Sequence, residues 1–218
     1  MASGTKGNCY ICGKELGKTA MKNHVIREHR QGDDEQKCYL LKIEGAYDKN
    51  YWILAEFPQG ATLAVVDKFL REIWMECCGH MSQFSRSGYE EVGKSSKLQS
   101  FSLGDKLLYE YDFGTTTEAV ITIMGETTRK KQKKSARILA RNVPPAFKCS
   151  VCGDPAGHIC VECIWDSENP FLCEKCGDIH EHDDMLLPVV NSPRMGECAY
   201  TGELDVYEFD AASIVEGK

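Results

Sequence analysis

The sequence predicts an α+β fold, a mainly antiparallel sheet with one main amphipathic helix, flanked by a Cys2His2-like finger and a C-terminal binuclear cysteine and histidine module. Three observations predict it. Short β-rich runs stand on both sides of one stretch with helical spacing, an order that sets a helix against an antiparallel sheet. Eight of the twelve cysteines fall in four C-x2-C pairs. Those pairs lie toward the two ends and leave a middle of ordinary globular composition.

Composition narrows the class. A chain of 218 residues that is 42% hydrophobic has room for one ordinary domain and small modules. No run approaches the ~20 apolar residues needed to cross a bilayer. The opening "MASGTKGN" carries no apolar signal segment. The expectation is therefore a cytoplasmic protein with no membrane partner, in which C-x2-C pairs are metal thiolates rather than disulfides. A net charge of -7 excludes a surface coated all round with base, though not local basic segments. Composition shifts divide the chain into residues 1–30, 37–142 and 147–200, with an acidic tail at 201–218. "QGDDEQ" (31–36) and "RNVPPAF" (141–147) read as linkers, the second because paired prolines continue neither a helix nor a central strand.

At the N-terminal end, Cys9, Cys12, His24 and His29 stand as C-x2-C-x11-H-x4-H. Two thiolates on a knuckle and two imidazoles one helical turn apart can close a tetrahedron around zinc. Leu16 and Met21 fall where such a finger keeps its small apolar core. A lone finger spans only about 3 bp of DNA. Of the positions that would face bases, Gly17, Ala20 and Asn23, only Asn23 makes directional hydrogen bonds. Lys14, Lys18, Lys22, Arg27 and Arg30 can meet phosphates or form an ordinary solvated helix face.

In the middle, "CYLLKIEG" and "YWILAEF" are short, apolar and bounded by turn residues, which predicts a hairpin-like strand pair. "ATLAVVDKFLREIWMECC" then places Leu63, Val66, Phe69, Leu70, Ile73, Trp74 and Cys77 on one face of a single helix, with Thr62 as N-cap. Further strands are expected in "MSQFSRSGYEEV", "DKLLYEYDFG", "EAVITIMG" and "SARILARN". Between the last two lies "RKKQKKSAR", the densest positive charge in the chain. It reads as a basic hairpin tip whose Arg129, Lys130, Lys131, Lys133 and Lys134 can contact phosphates, or as a solvated, aggregation-resistant loop.

Toward the C-terminal end, Cys149, Cys152, Cys160, Cys163, Cys173, Cys176, His180 and His182 form four consecutive ligand pairs. Eight ligands suit two tetrahedral zinc ions, so three zinc ions are expected in all. The pairs can be shared sequentially or interleaved, first with third and second with fourth. Interleaving is favoured because it ties a segment with little apolar core into one unit. His158 and Cys198 stand in reserve as replacements, His182 being the ligand most open to exchange. A catalytic zinc keeps one position open for water, whereas this ligand supply saturates the metals. Neither an H-E-x-x-H pattern nor the zinc-deaminase pattern occurs.

"LREIWMECCGHMSQF", "GYEEV" and "LGDKLLYEYDFGTTTEAVITI" resemble the plasmid pRiA4b ORF-3-like family over residues 37–142, "YDFG" at 111–114 being the most specific piece. The ending "LLPVVNSPRMGECAYTG" is similar to a longer subgroup of that family. The resemblance implies an α+β domain of uncharacterised activity carried by insertion elements. The family form follows "YDFG" with an acidic residue, Trp and His, where this chain has "TTTE". A recombinase role finds no support, because neither a serine nor a tyrosine recombinase residue set can be assigned. Asp112 with His80, and Glu110 or Tyr111, can form a general acid-base pair, but an Asp before Phe-Gly equally suits a turn. The expectation is thus a zinc-binding, non-enzymatic recognition protein. A nucleic-acid-associated accessory factor comes first, a protein-interaction adaptor acting through the C-terminal module second, and an enzyme using Asp112 and His80 last.

Overall fold

In a computed structural model describing residues 5–29, 36–86, 90–129, 135–166 and 169–202, strands β1 (Lys6–Cys9) and β2 (Glu15–Gly17) lead into helix α1 (Lys18–Glu28). The central run is β3 (Gln36–Gly45), β4 (Trp52–Pro58), α2 (Leu63–Leu70), β5 (Ser82–Ser85), β6 (Glu91–Val92), β7 (Lys106–Tyr111), β8 (Thr117–Arg129) and β9 (Arg137–Asn142). After it come β10 (His158–Cys160), α3 (Cys163–Asp166), β11 (Phe171–Leu172), α4 (Glu174–Gly177) and β12 (Leu186–Pro188). Nine strands make one antiparallel sheet in the order β2-β1-β9-β4-β3-β8-β7-β5-β6, and β11-β10-β12 make a second. Among the described residues no helix is long and apolar enough to cross a membrane.

Strands β3 and β4 pair antiparallel from Cys38 opposite Pro58 to Glu44 opposite Trp52, as their turn-bounded apolar runs predict. Both are apolar at successive positions because both sheet faces are covered, which removes the usual alternation of apolar and polar residues. Leu41, Ile43, Ile53, Ala55 and Phe57 join the core under α2. Leu40, Trp52 and Leu54 point the other way and pack with Met21 and Val25 of α1. The finger segment is therefore part of the sheet: β1 bonds to β9 and α1 roofs the second face. Gly7 permits this approach, since a Cβ there would collide with the Trp52 ring and the Arg141 carbonyl. At the other end, β7 alternates buried Leu107, Tyr109 and Tyr111 with more exposed neighbours, as a strand covered on one face must.

Two expectations change. The single helix of 63–77 stops being α-helical at Leu70 and widens into a π-helical turn, Arg71–Met75, which keeps Ile73 and Trp74 buried but redirects the chain after Glu76. Thr62 holds the N-cap position without a side-chain bond. The basic segment is not a hairpin tip, because β8 and β9 are separated in the sheet by β3 and β4. Arg30, the linker residues 31–35, Lys130, Lys131, Lys133, Lys134 and tail residues 203–218 lie outside the described residues.

Candidate metal centres

The finger cluster starts from a knuckle that "CYICG" dictates. Gly13 takes φ 74, a conformation glycine adopts at little cost, and its N–H donates to the Cys9 carbonyl at 2.8 Å while Cys9 N–H donates to Lys14 O. Helix α1 brings in the imidazoles. Cys12 Sγ lies 3.2 Å from His24 Nε2, and His29 Nε2 lies 3.1 Å from His24 Nε2. "CSVCG" repeats the knuckle at Cys149, with Gly153 at φ 79 donating to the Cys149 carbonyl.

The four C-terminal pairs sort into two groups, Cys149, Cys152, Cys173 and Cys176 in one and Cys160, Cys163, His180 and His182 in the other. This is the interleaved partition. Cys152 and Cys173 sulfurs stand 3.6 Å apart, and Cys163 Sγ stands 3.3 Å from His180 Nε2 and 3.8 Å from His182 Nδ1. His158 belongs to neither group and faces Glu174 at 3.8 Å. Backbone N–H groups of Cys152 and Cys173 lower the Cys149 thiol to about 6, while the Cys173 thiol beside it helps push Cys176 up to about 12.

The described residues contain a fourth group that the sequence reading did not assemble: Cys77, Cys78, His80 and Cys198. Each of the four groups gathers its ligand atoms within 4.8 Å of one another, so all four can hold a metal ion, and their sulfur and imidazole donors are compatible with zinc. An adjacent Cys77 and Cys78 lack C-x2-C spacing, and Cys198 is 120 residues from Cys78. A signal was nevertheless present. "ECCG" repeats the Cys-Gly step of the other knuckles, and Gly79 takes φ 80.

The loop carrying this group is held by charge. Arg71 donates to Glu76 at 2.7 Å and to the His80 carbonyl at 2.7 Å, and Glu76 accepts the Gly79 N–H. Beneath it Asp67 accepts from Tyr109 and Ser82 and pairs with Arg71 and Lys94, each at 3.2 Å. Burial pushes the Asp67 carboxyl up, yet these donors and cations outweigh it and hold the group below its ordinary value. Asp112 and His80 do meet, at 3.4 Å. The carboxylate is already engaged, however, by Arg194 at 2.7 Å and by the N–H groups of Gly114 and Thr115, which fix a turn with Asp112 at φ 66.

The proposed nucleic-acid contacts are dispersed. Asn23 and Arg27 are exposed on α1 and Lys22 is half-buried. Lys18 donates instead to Glu44 at 2.7 Å and to the Lys49 carbonyl. Arg129 is a correction: it is 3% exposed and faces the equally buried Glu56, so its charge is turned into the fold and away from any phosphate.

No family model matches the chain, and no curated protein matches it. Among solved structures, the crystal structure of a protein of unknown function from Methanosarcina mazei Go1, MM3350, is similar over 49% of this chain and 69% of that one, with 20% identity and a TM-score of 0.43.

Proposed function

We propose that the protein is a zinc-binding, non-enzymatic recognition protein, in which three zinc ions, one at the finger and two in the C-terminal module, shape binding surfaces rather than react. The observation that carries this reading is the number of ligands: each of those clusters offers four donor atoms within 4.8 Å. Four donors fill a tetrahedral zinc and leave no coordination position for a substrate. Asp112 and His80 rank lower as catalysts because the Asp112 carboxylate already serves Arg194 and its own turn.

In the first reading the target is nucleic acid, met by the exposed face of α1 through Lys22, Asn23 and Arg27, with residues 130–134 adding charge. Association with mobile elements rests on the sequence resemblance to the pRiA4b ORF-3-like family. Fluorescence anisotropy of the intact protein with arbitrary DNA and RNA duplexes tests it. Affinity should fall steeply with salt, and Lys22→Ala with Arg27→Ala should lower the slope of log affinity against log salt by about 2. No binding at low salt removes this reading.

A second reading, an adaptor that binds another protein, draws on the C-terminal module. Val151, Trp165 and Ile179 are 71%, 78% and 84% exposed, each within two residues of a candidate metal ligand. Exposed aromatic and aliphatic side chains on a rigid support are the anchors of protein interfaces. Trp165→Ala should remove partners captured by the intact protein without altering its metal content.

A further inference from the structure

Every cysteine except Cys38 falls into one of the four clusters, yet the group at Cys77, Cys78, His80 and Cys198 differs in how its ligands arrive. The finger and module clusters each draw on nearby residues. Here the chain leaves β12 and runs back over the large sheet. Ser192 Oγ donates to the Trp74 carbonyl at 2.7 Å, and the Tyr200 hydroxyl donates to the Ile73 carbonyl at 3.4 Å. Between them Arg194, with no exposed surface, donates to Asp112 at 2.7 Å, to Thr117 Oγ1 at 3.0 Å and to the Thr115 carbonyl at 3.2 Å. These bonds deliver Cys198, at φ 52, to the loop that follows the π-helical turn.

The separations suit one ion. A zinc with Zn–S of about 2.3 Å and Zn–N of about 2.0 Å implies S–S edges of about 3.8 Å and S–N edges of about 3.5 Å. Cys77 and Cys78 sulfurs stand 3.6 Å apart, Cys78 and Cys198 sulfurs 3.5 Å, and Cys198 Sγ lies 3.5 Å from His80 Nε2, while Cys78 Sγ and His80 Nε2, at 2.9 Å, would have to separate slightly around an ion. Three thiolates would leave a single negative charge on a divalent ion. Arg194 Nη2, 3.5 Å from Cys77 Sγ, places a buried cation against it. Such a sulfur-rich donor set selects zinc over magnesium or calcium, which take oxygen ligands.

We propose that Cys77, Cys78, His80 and Cys198 bind a fourth zinc ion, which clasps residues 192–200 to the large sheet. This goes beyond the three-ion recognition reading and does not depend on it. Cys78 and Cys198 are exposed, so this ion is the one most accessible to a competing chelator.

Metal analysis of the purified full chain should give four zinc ions per chain, falling to three in Cys198→Ser and in Cys78→Ser, with Cys38→Ser unchanged at four. A chelator titration of the unmodified protein, followed by hydrogen exchange, reads the same site without relying on a variant. The first equivalent of zinc should leave together with amide protection in residues 192–200, while the amides of β10 and β3 stay protected. A wild-type ratio of three that Cys198→Ser does not lower would overturn the proposal, as would an intact mass short by two hydrogens with Cys78 and Cys198 joined. Early zinc loss that leaves residues 192–200 protected would overturn the clasp.

Discussion

The large sheet and the C-terminal segment differ in what they bury. Around α2 the sheet buries Trp74, Phe57, Phe69, Phe84, Tyr109 and Tyr111, enough apolar surface to drive folding by exclusion of water. The module's buried cluster is Cys149, Cys160, Leu172 and Cys173, of which only Leu172 is an ordinary core residue. Its strands are two or three residues long, too short to stand alone. One region buries a large apolar area, and the other gathers sulfur and imidazole donors that could hold metal ions. The same residue type is correspondingly read differently: Cys38 in β3 is a small buried hydrophobe, Cys160 in β10 a candidate ligand.

The largest effect should come from cutting the module's ligands. On the proposed zinc reading, Cys160→Ser removes a donor from a site where metal binding would be coupled to folding, worth on the order of 10 kcal/mol for small zinc domains. Hydrogen exchange should show residues 158–160, 171–172 and 186–188 losing protection while β3 and β4 keep theirs. Equal loss in both regions would erase the contrast. Next comes Trp52→Ala, which opens the face shared with α1 and should cost about 3–5 kcal/mol in urea unfolding of the sheet. Module amides should be indifferent to it.

The smallest effect sharpens the comparison at the sheet's one-sided end. Asp67→Asn removes the pairs to Arg71 and Lys94 and should cost about 2 kcal/mol at neutral pH. Because the folded carboxyl sits below its unfolded value of about 3.9, its contribution is full above that value and fades as pH falls through the folded one. The stability difference between wild type and variant should therefore start to shrink below about pH 4 and close only at more acid pH.

What was legible in the sequence follows the same division. Local patterns could be read directly: the apolar runs of β3 and β4, the start of α2, and the three ligand sets, whose members sit within a few turns of chain. Features set by distant contact could not. The continuous apolar run of β4 signalled burial on both faces, but nothing in it named α1 as the second cover. Arg129 stands first in a basic run and was assigned with its neighbours, although its strand position turns it toward Glu56. His80 reads from sequence as a partner of Asp112 and Cys198 as a reserve ligand of the C-terminal pairs, because the contact that brings the two together, Arg194 with Asp112, joins residues 82 positions apart.

The pairing of β1 with β9 also governs how the protein must be made. Residues 7–9 cannot complete their pairing until Ala140, Arg141 and Asn142 have left the ribosome, so β1 is among the last strands to dock although it is made before β9. Non-local closure of this kind slows folding. Until it happens, the face that Trp52 and Leu54 share with α1 lacks its final closure, and the nascent chain carries an adhesive surface.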